Sequence, residues 1–210
     1  SFEQLAPHSG PTGGNTSFVV TGSNMVDMAD GISLRVGSIA FTVGGTFEDA
    51  SSLRSVTPSG LPVADTSMYV ALNGQQYELV QPAVFQVYNA SFQRFTPHSG
   101  PIHGDTSTTV LSTGVVQTGE ELVRVDGVST PLVGSHIDAQ SVGVVTPSYV
   151  STHVGVSMSV ALNGQQYVLV DESFEYYNVS FLDAVLGPHS GPVGGNTSTA
   201  LTLGSGLVDS

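Results

Sequence analysis

The chain says the same things more than once, and that limits its fold more than any other feature. Ala-Leu-Asn-Gly-Gln-Gln-Tyr stands at 71–77 and again at 161–167, and Tyr-Asn at 88–89 returns at 177–178. Pro-His-Ser-Gly-Pro occurs three times, at 7–11, 97–101 and 188–192. The spacing is 90 residues from Asn73 to Asn163, 89 from Asn89 to Asn178, and 90 then 91 between Pro7, Pro97 and Pro188. A fixed period marks a chain built from copies of one unit, here the size of a small sandwich domain. The copies divide the chain into 1–89, 90–178 and a third, incomplete unit at 179–210.

Composition narrows the function. Four arginines (Arg35, Arg54, Arg94, Arg124) and no lysine face seventeen acids, for a net charge of −13. Such a surface repels nucleic acid rather than steering it in, so a phosphate-binding or DNA-binding role is not expected. With no cysteine, disulfides, thiol redox chemistry and Cys-ligated zinc drop out. The opening Ser-Phe-Glu-Gln lacks the basic flank and apolar run of a signal peptide, and without an initiating Met the chain reads as processed or as a fragment. No window reaches the eighteen apolar residues of a membrane helix. Charged residues make up only 10%, which asks what else keeps the surface soluble.

In chain order, Pro-His-Ser-Gly-Pro-Thr-Gly-Gly is dense turn chemistry. Thr16 to Thr21 and Ile32 to Val43 read as strands, and 44–65 as irregular loop with one short strand. Met68, Val70 and Leu72 share a face, Asn73-Gly74 predicts a type I′ hairpin turn, and Tyr77 and Leu79 resume the alternation. Phe85 and Val87 begin a further strand, leaving only Asn89-Ala90-Ser91 before Phe92 opens the next unit. There, Leu122 to Val128, then Met158, Val160 and Leu162, then Phe174 and Tyr176, repeat the pattern, with 129–141 as a loop. The third unit, from Phe181, holds only the first strands, including Thr199 to Leu203. No segment carries a helical period, so the chain reads as all β.

Residues 7–24, Pro-His-Ser-Gly-Pro-Thr-Gly-Gly-Asn-Thr-Ser-Phe-Val-Val-Thr-Gly-Ser-Asn, resemble the opening of an IPT/TIG domain. Asn163-Gly164-Gln165-Gln166-Tyr167 and Phe174-Glu175-Tyr176-Tyr177 are similar to that family's closing hairpin and last strand. The resemblance spans essentially the whole chain. It implies tandem immunoglobulin-like β-sandwiches, as in plexin-type receptors, tandem-repeat surface proteins of microbes and algae, modules beside carbohydrate-active enzymes, and certain transcription factors. Asp105 stands where the other units have Asn, His103 interrupts the Gly-Gly, and Met25 replaces the family's Phe. These departures loosen the match to the family's turn in the second unit and leave the fold as expected.

Asn-Xaa-Ser/Thr triplets begin at Asn15, Asn89, Asn178 and Asn196. They fall on two equivalent settings, after Gly-Gly and at the unit junctions. Both are loop or strand-end positions within reach of a glycosyltransferase, although repeat descent alone would copy a sequon. N-linked glycans would also solubilise a lightly charged surface, and Thr57-Pro58, Thr96-Pro97 and Thr146-Pro147 leave room for O-linked sugar. No metal is expected. His8, His98 and His189 belong to different copies, His98 and His103 bring no third ligand, and Asp27, Asp30, Asp171 and Glu172 form no calcium ladder. No cofactor motif or nucleophile elbow is present, and no catalysis is expected.

The near-absent linker predicts a stiff string: a structural subunit of an extracellular filament or rod. The strands of 181–210 would either continue into further polypeptide or pair with a neighbouring copy, giving self-association without membrane insertion. The alternative is a receptor or adhesin segment that binds a protein or carbohydrate through its loops, although the absence of Trp disfavours a sugar platform.

Overall fold

The computed structural model describes residues 1–28, 31–37, 42–150, 154–178 and 185–202, and among them every regular element is a β-strand. The first repeat supplies β1 (Phe2–Ala6), β2 (Ser9–Pro11), β3 (Ser17–Gly22), β4 (Ile32–Val36), β5 (Thr42–Asp49), β6 (Ser52–Val56), β7 (Ala64–Ala71) and β8 (Glu78–Tyr88). One layer runs β1-β3-β6-β5 and the other β5-β4-β7-β8-β2. Strand β5 belongs to both: Thr42 to Gly45 pair with β4, and Thr46 to Asp49 pair with β6. The changeover follows Gly45, where a Cβ would meet Ile32 Cγ2 at 2.7 Å and Leu34 Cδ1 at 2.8 Å. A strand can bend this close over its neighbour's side chains only without one of its own.

Period-two alternation puts Phe18 and Val20 of β3, Ile32, Leu34 and Val36 of β4, Met68 and Val70 of β7, and Phe85 and Val87 of β8 in one core. Each such side chain contributes about 1.5–3 kcal/mol on burial. Phe18 and Phe85, from opposite layers, lie 6.4 Å apart between ring centroids.

The second repeat gives β9 (Ser91–Thr96), β10 (Ser99–Pro101), β11 (Ser107–Thr113), β12 (Leu122–Val125), β13 (Leu132–Val133), β14 (Ser135–Asp138), β15 (Ser141–Val145), β16 (Val154–Val156), β17 (Met158–Ala161), β18 (Val168–Leu169) and β19 (Phe174–Tyr177). They form ladders β14-β15-β11-β9, β13-β12-β17-β18 and β10-β19-β16. Met158, Val160, Leu162, Phe174 and Tyr176 are all buried, as the alternation requires. Phe174 meets Phe95 edge-on at 5.8 Å, and Tyr149 stacks on Tyr176 at 4.9 Å. Two further strands, β20 (Val185–Gly187) and β21 (Ala200–Thr202), pair only with each other among the described residues. Phe181 and Leu203 lie outside those residues.

Two expectations are corrected. The stretches 44–65 and 129–141 hold more strand than expected: most of the β5–β6 hairpin lies in the first, with 57–63 irregular, and β13, β14 and the start of β15 lie in the second. The β5–β6 and β14–β15 turns are each built by an aspartate. Asp49 accepts hydrogen bonds from Ser51 N (2.7 Å) and Ser51 Oγ (2.7 Å), and Asp138 from Gln140 N (2.8 Å) and Ser141 Oγ (2.7 Å). An Asx turn of this kind needs neither Gly nor Pro. Asn73-Gly74 is not a two-residue type I′ turn: β7 ends at Ala71 and β8 resumes at Glu78, only Gly74 of the pair has positive φ (71°), and Asn73 Oδ1 instead accepts from Gln75 N (3.1 Å) and Gln76 N (3.0 Å). The turn in the second unit keeps the shape of the others despite its sequence departures. Gly104-Asp105 (φ 80° and 59°) reproduces Gly14-Asn15 (70° and 62°) and Gly195-Asn196 (78° and 64°), because Asp, like Asn, tolerates the left-handed region.

Candidate functional site

Among the described residues, a dense polar constellation joins the two sandwiches. The loop between β17 and β18 of the second sandwich, Asn163-Gly164-Gln165-Gln166, projects onto the Ser9 to Ser17 segment of the first. Asn163 Nδ2 donates to Ser9 O (3.3 Å) and Thr16 Oγ1 (3.2 Å), and Thr16 Oγ1 in turn donates to Gln166 Oε1 (2.9 Å). Gln166 Nε2 donates to Asn15 O at 2.7 Å. Gln165 pairs with the backbone of Ser17 as a strand residue would, accepting from Ser17 N at 2.9 Å and donating to Ser17 O at 2.7 Å.

Both halves are set before they meet. On the hairpin side, Asn163 Oδ1 accepts from Gln165 N (3.2 Å) and Gln166 N (3.3 Å), and its amide donates to Gln166 Oε1 (2.7 Å). Arg124 lies 3.7 Å from the Tyr167 ring centroid, clamping the far side of the loop by a cation–π contact. The Thr118 hydroxyl donates to Leu162 O at the loop's base. On the receiving side, Thr16 N donates to Thr57 Oγ1 (3.0 Å) and Asn15 N to Thr57 O (2.9 Å), fixing the segment to the end of β6. Gly10 leaves the space that Thr16 occupies: a Cβ there would meet Phe85 Cζ at 2.9 Å as well as the threonine side chain.

Apolar contact accompanies the polar one. Tyr88, the last residue of β8, packs into the core of the following sandwich and is only 3% exposed. Burial, followed by the nearby Glu120 carboxylate, drives its phenol far above the ordinary tyrosine range. Partial desolvation raises the surface residue Glu120 above the usual carboxylate value. His8 of the first sandwich pulls it back, and the adjoining Glu121 pushes it further up. Glu121 is held low despite burial, because the N–H groups of Thr118 (2.9 Å) and Gly119 (3.2 Å) and the Thr118 hydroxyl (3.1 Å) converge on its Oε1.

All four sequon asparagines are exposed. Asn15 and Asn196 occupy the left-handed region, which by itself accounts for an asparagine, since the equivalent Asp105 does the same work without being a sequon. Asn89 and Asn178 carry no positive φ and sit just beyond β8 and β19. Glu172 Oε2 accepts from Phe95 N (2.8 Å), so this acid serves the fold. The sequence reading missed the latch. Its signal was the Gln-Gln following Asn-Gly in both copies, which no turn requires.

The fold is that of tandem immunoglobulin-like sandwiches, and solved structures carry it. The chain is similar to the plexin A4 extracellular region in a structure of domains 1 to 10 (TM-score 0.60, 15% identity, covering 89% of this chain and 16% of that one). A second plexin A4 structure, with domains 1 to 8, gives TM-score 0.52 and 15% identity over 83% of this chain and 18% of that one. The chain thus spans less than a fifth of the length of these neighbours. No family model matches it, and no curated protein matches it in sequence.

Proposed function

We propose that this chain is a non-catalytic structural unit of an extracellular rod or filament, made of units 1–89, 90–178 and 179–210 and bearing N-linked glycans. The observation that supports it is the latch: six hydrogen bonds cross between the sandwiches, and Tyr88 is shared with the second core. Domains joined in one chain move relative to one another unless their interface holds them; a polar latch beside a buried aromatic adds to the short linker in restricting that motion, which is useful to a molecule that works by its shape. Exposed apolar residues on β20, Val185 and Leu186, supply a second contact, strand pairing of 181–210 with a neighbouring copy.

Imaging and small-angle scattering test this reading. A rod of fixed inter-sandwich angle that assembles end to end supports it, as does loss of strand-mediated contacts on deleting residues 181–210. A freely jointed pair of sandwiches that stays monomeric at every concentration refutes it.

A further inference from the structure

We propose that Asn163-Gly164 is a site of spontaneous deamidation guarded by the latch: the closed junction keeps Asn163 intact, and Asn163, once converted during an open excursion, keeps the junction from closing again. Such a site lies outside the structural role above and exists whether or not the chain assembles.

Asparagine followed by glycine is the pair in which this reaction meets least hindrance, because glycine has no Cβ to shield its main-chain nitrogen. The Gly164 nitrogen loses its proton to solvent base and bonds to Asn163 Cγ. The Cγ–Nδ2 bond breaks, and Nδ2 takes up a proton from water and leaves as ammonia. Water then opens the succinimide ring at one of its two carbonyls, leaving aspartate or isoaspartate. Water is the only co-reactant.

The closed junction blocks each of these steps. Asn163 Oδ1 accepts from Gln165 N (3.2 Å) and Gln166 N (3.3 Å), and Nδ2 donates to Ser9 O (3.3 Å), Thr16 Oγ1 (3.2 Å) and Gln166 Oε1 (2.7 Å). Without breaking these bonds, Cγ cannot turn toward the Gly164 nitrogen and ammonia cannot depart. The residue is 3% exposed, which keeps base and water away, and its backbone is held by a parallel bridge to Glu120. Two of the Nδ2 bonds cross to the first sandwich, so reaction waits on local opening of the junction.

The product does not fit back. In aspartate an oxygen stands where Nδ2 stood, facing Ser9 O and Gln166 Oε1, which can only accept. Two donated bonds become lone-pair contacts, and only the Thr16 hydroxyl, by giving up Gln166, can donate to the new oxygen. Isoaspartate routes the main chain through Cγ and adds an atom to it, which carries Gln165 and Gln166 off Ser17 and Asn15. The chain has no means of reversing either change, so a joint held at a fixed angle becomes one that hinges.

Residues 71–77 repeat 161–167 without a difference, so Asn73-Gly74 reports the rate of the same sequence in the same chain. Asn73 makes the local hairpin bonds and, among the described residues, none to the other sandwich. Incubated at mildly alkaline pH and followed by peptide mapping with isoaspartate detection, Asn163 should convert about thirtyfold more slowly than Asn73, the factor two junction bonds supply. Thr16→Val removes the receiving hydroxyl and leaves the hairpin untouched; it should raise the Asn163 rate about fivefold or more and leave the Asn73 rate unchanged. Asn163→Asp installs the product from the start. Hydrogen exchange at the Ser17 amide, which donates to Gln165 Oε1, should then speed up about thirtyfold. Conversion of Asn163 as fast as Asn73 in the unmodified chain, or unchanged Ser17 protection in Asn163→Asp, overturns the proposal and leaves the rod reading to its own tests.

Discussion

Asn73 and Asn163 form a built-in comparison for measuring the latch. Each organises its own hairpin by the same bonds: Oδ1 accepts from the two following amides, and Nδ2 donates to the glutamine three residues on. Only Asn163 also donates across the junction, to Ser9 O and Thr16 Oγ1. Replacing either by alanine removes the hairpin bonds; replacing Asn163 alone removes two bonds from the junction. At about 1 kcal/mol per bond, Asn163→Ala should weaken the latch by about 2 kcal/mol beyond anything Asn73→Ala does. The Ser17 amide reports this directly, because it donates to Gln165 Oε1 and is freed when the latch opens. Hydrogen exchange at Ser17 should therefore speed up by about thirtyfold in Asn163→Ala and stay unchanged in Asn73→Ala. Equal Ser17 protection in the two variants would refute the assignment of these bonds to the junction.

The two neighbouring glutamates predict a two-sided pH response. Glu120, raised by partial desolvation, binds its proton more tightly when folded, so its small contribution grows as pH falls through the range just above 4.5, and Glu120→Gln should abolish that gain. Glu121, lowered by its donors, contributes stability above 4.5 that is lost as pH falls below it; urea midpoints across pH 3 to 6 should lose this decline in Glu121→Gln. Asn15→Asp should fold with an unchanged thermal midpoint, as Asp105 already holds that conformation, and any glycan mass lost with it measures occupancy at Asn15. Gly10→Ala drives a methyl into Thr16 and Phe85 and should cost about 1–3 kcal/mol, read as a lowered denaturation midpoint.

The strands legible in the sequence were those whose burial alternates: Met68 and Val70, Phe85 and Val87, Met158 to Leu162, Phe174 and Tyr176. The β5–β6 and β14–β15 hairpins were not, for a reason that lies in their chemistry. Their turns rest on Asp49 and Asp138 rather than on Gly or Pro, and β5 gives one half to each layer, so its apolar residues never settle into one period. In the second sandwich the same bend is reached by breaking the strand at Gly134, between β13 and β14. The sequon positions were legible as exposed loops, but only backbone angles separate Asn15 and Asn196 from Asn89 and Asn178.

The latch was hidden because its residues already had a sufficient local explanation. Asn-Gly makes a turn and Gly-Gly-Asn-Thr makes another, and nothing in a linear reading says that one turn is built to fit the other. The repeats bear two constraints at once. Each copy must close its own sandwich, which accounts for the apolar alternation and for the glycine under Thr16, Thr106 and Thr197. The second copy's hairpin must also fit the first copy's Ser9 to Ser17 segment, which accounts for the bonds of Gln165 and Gln166 and for a receiver made almost wholly of backbone. A receiver of that kind survives the change from Asn15 to Asp105 and from Gly13 to His103, while Gln165 and Gln166 have no substitute that both donates and accepts at that reach except an amide.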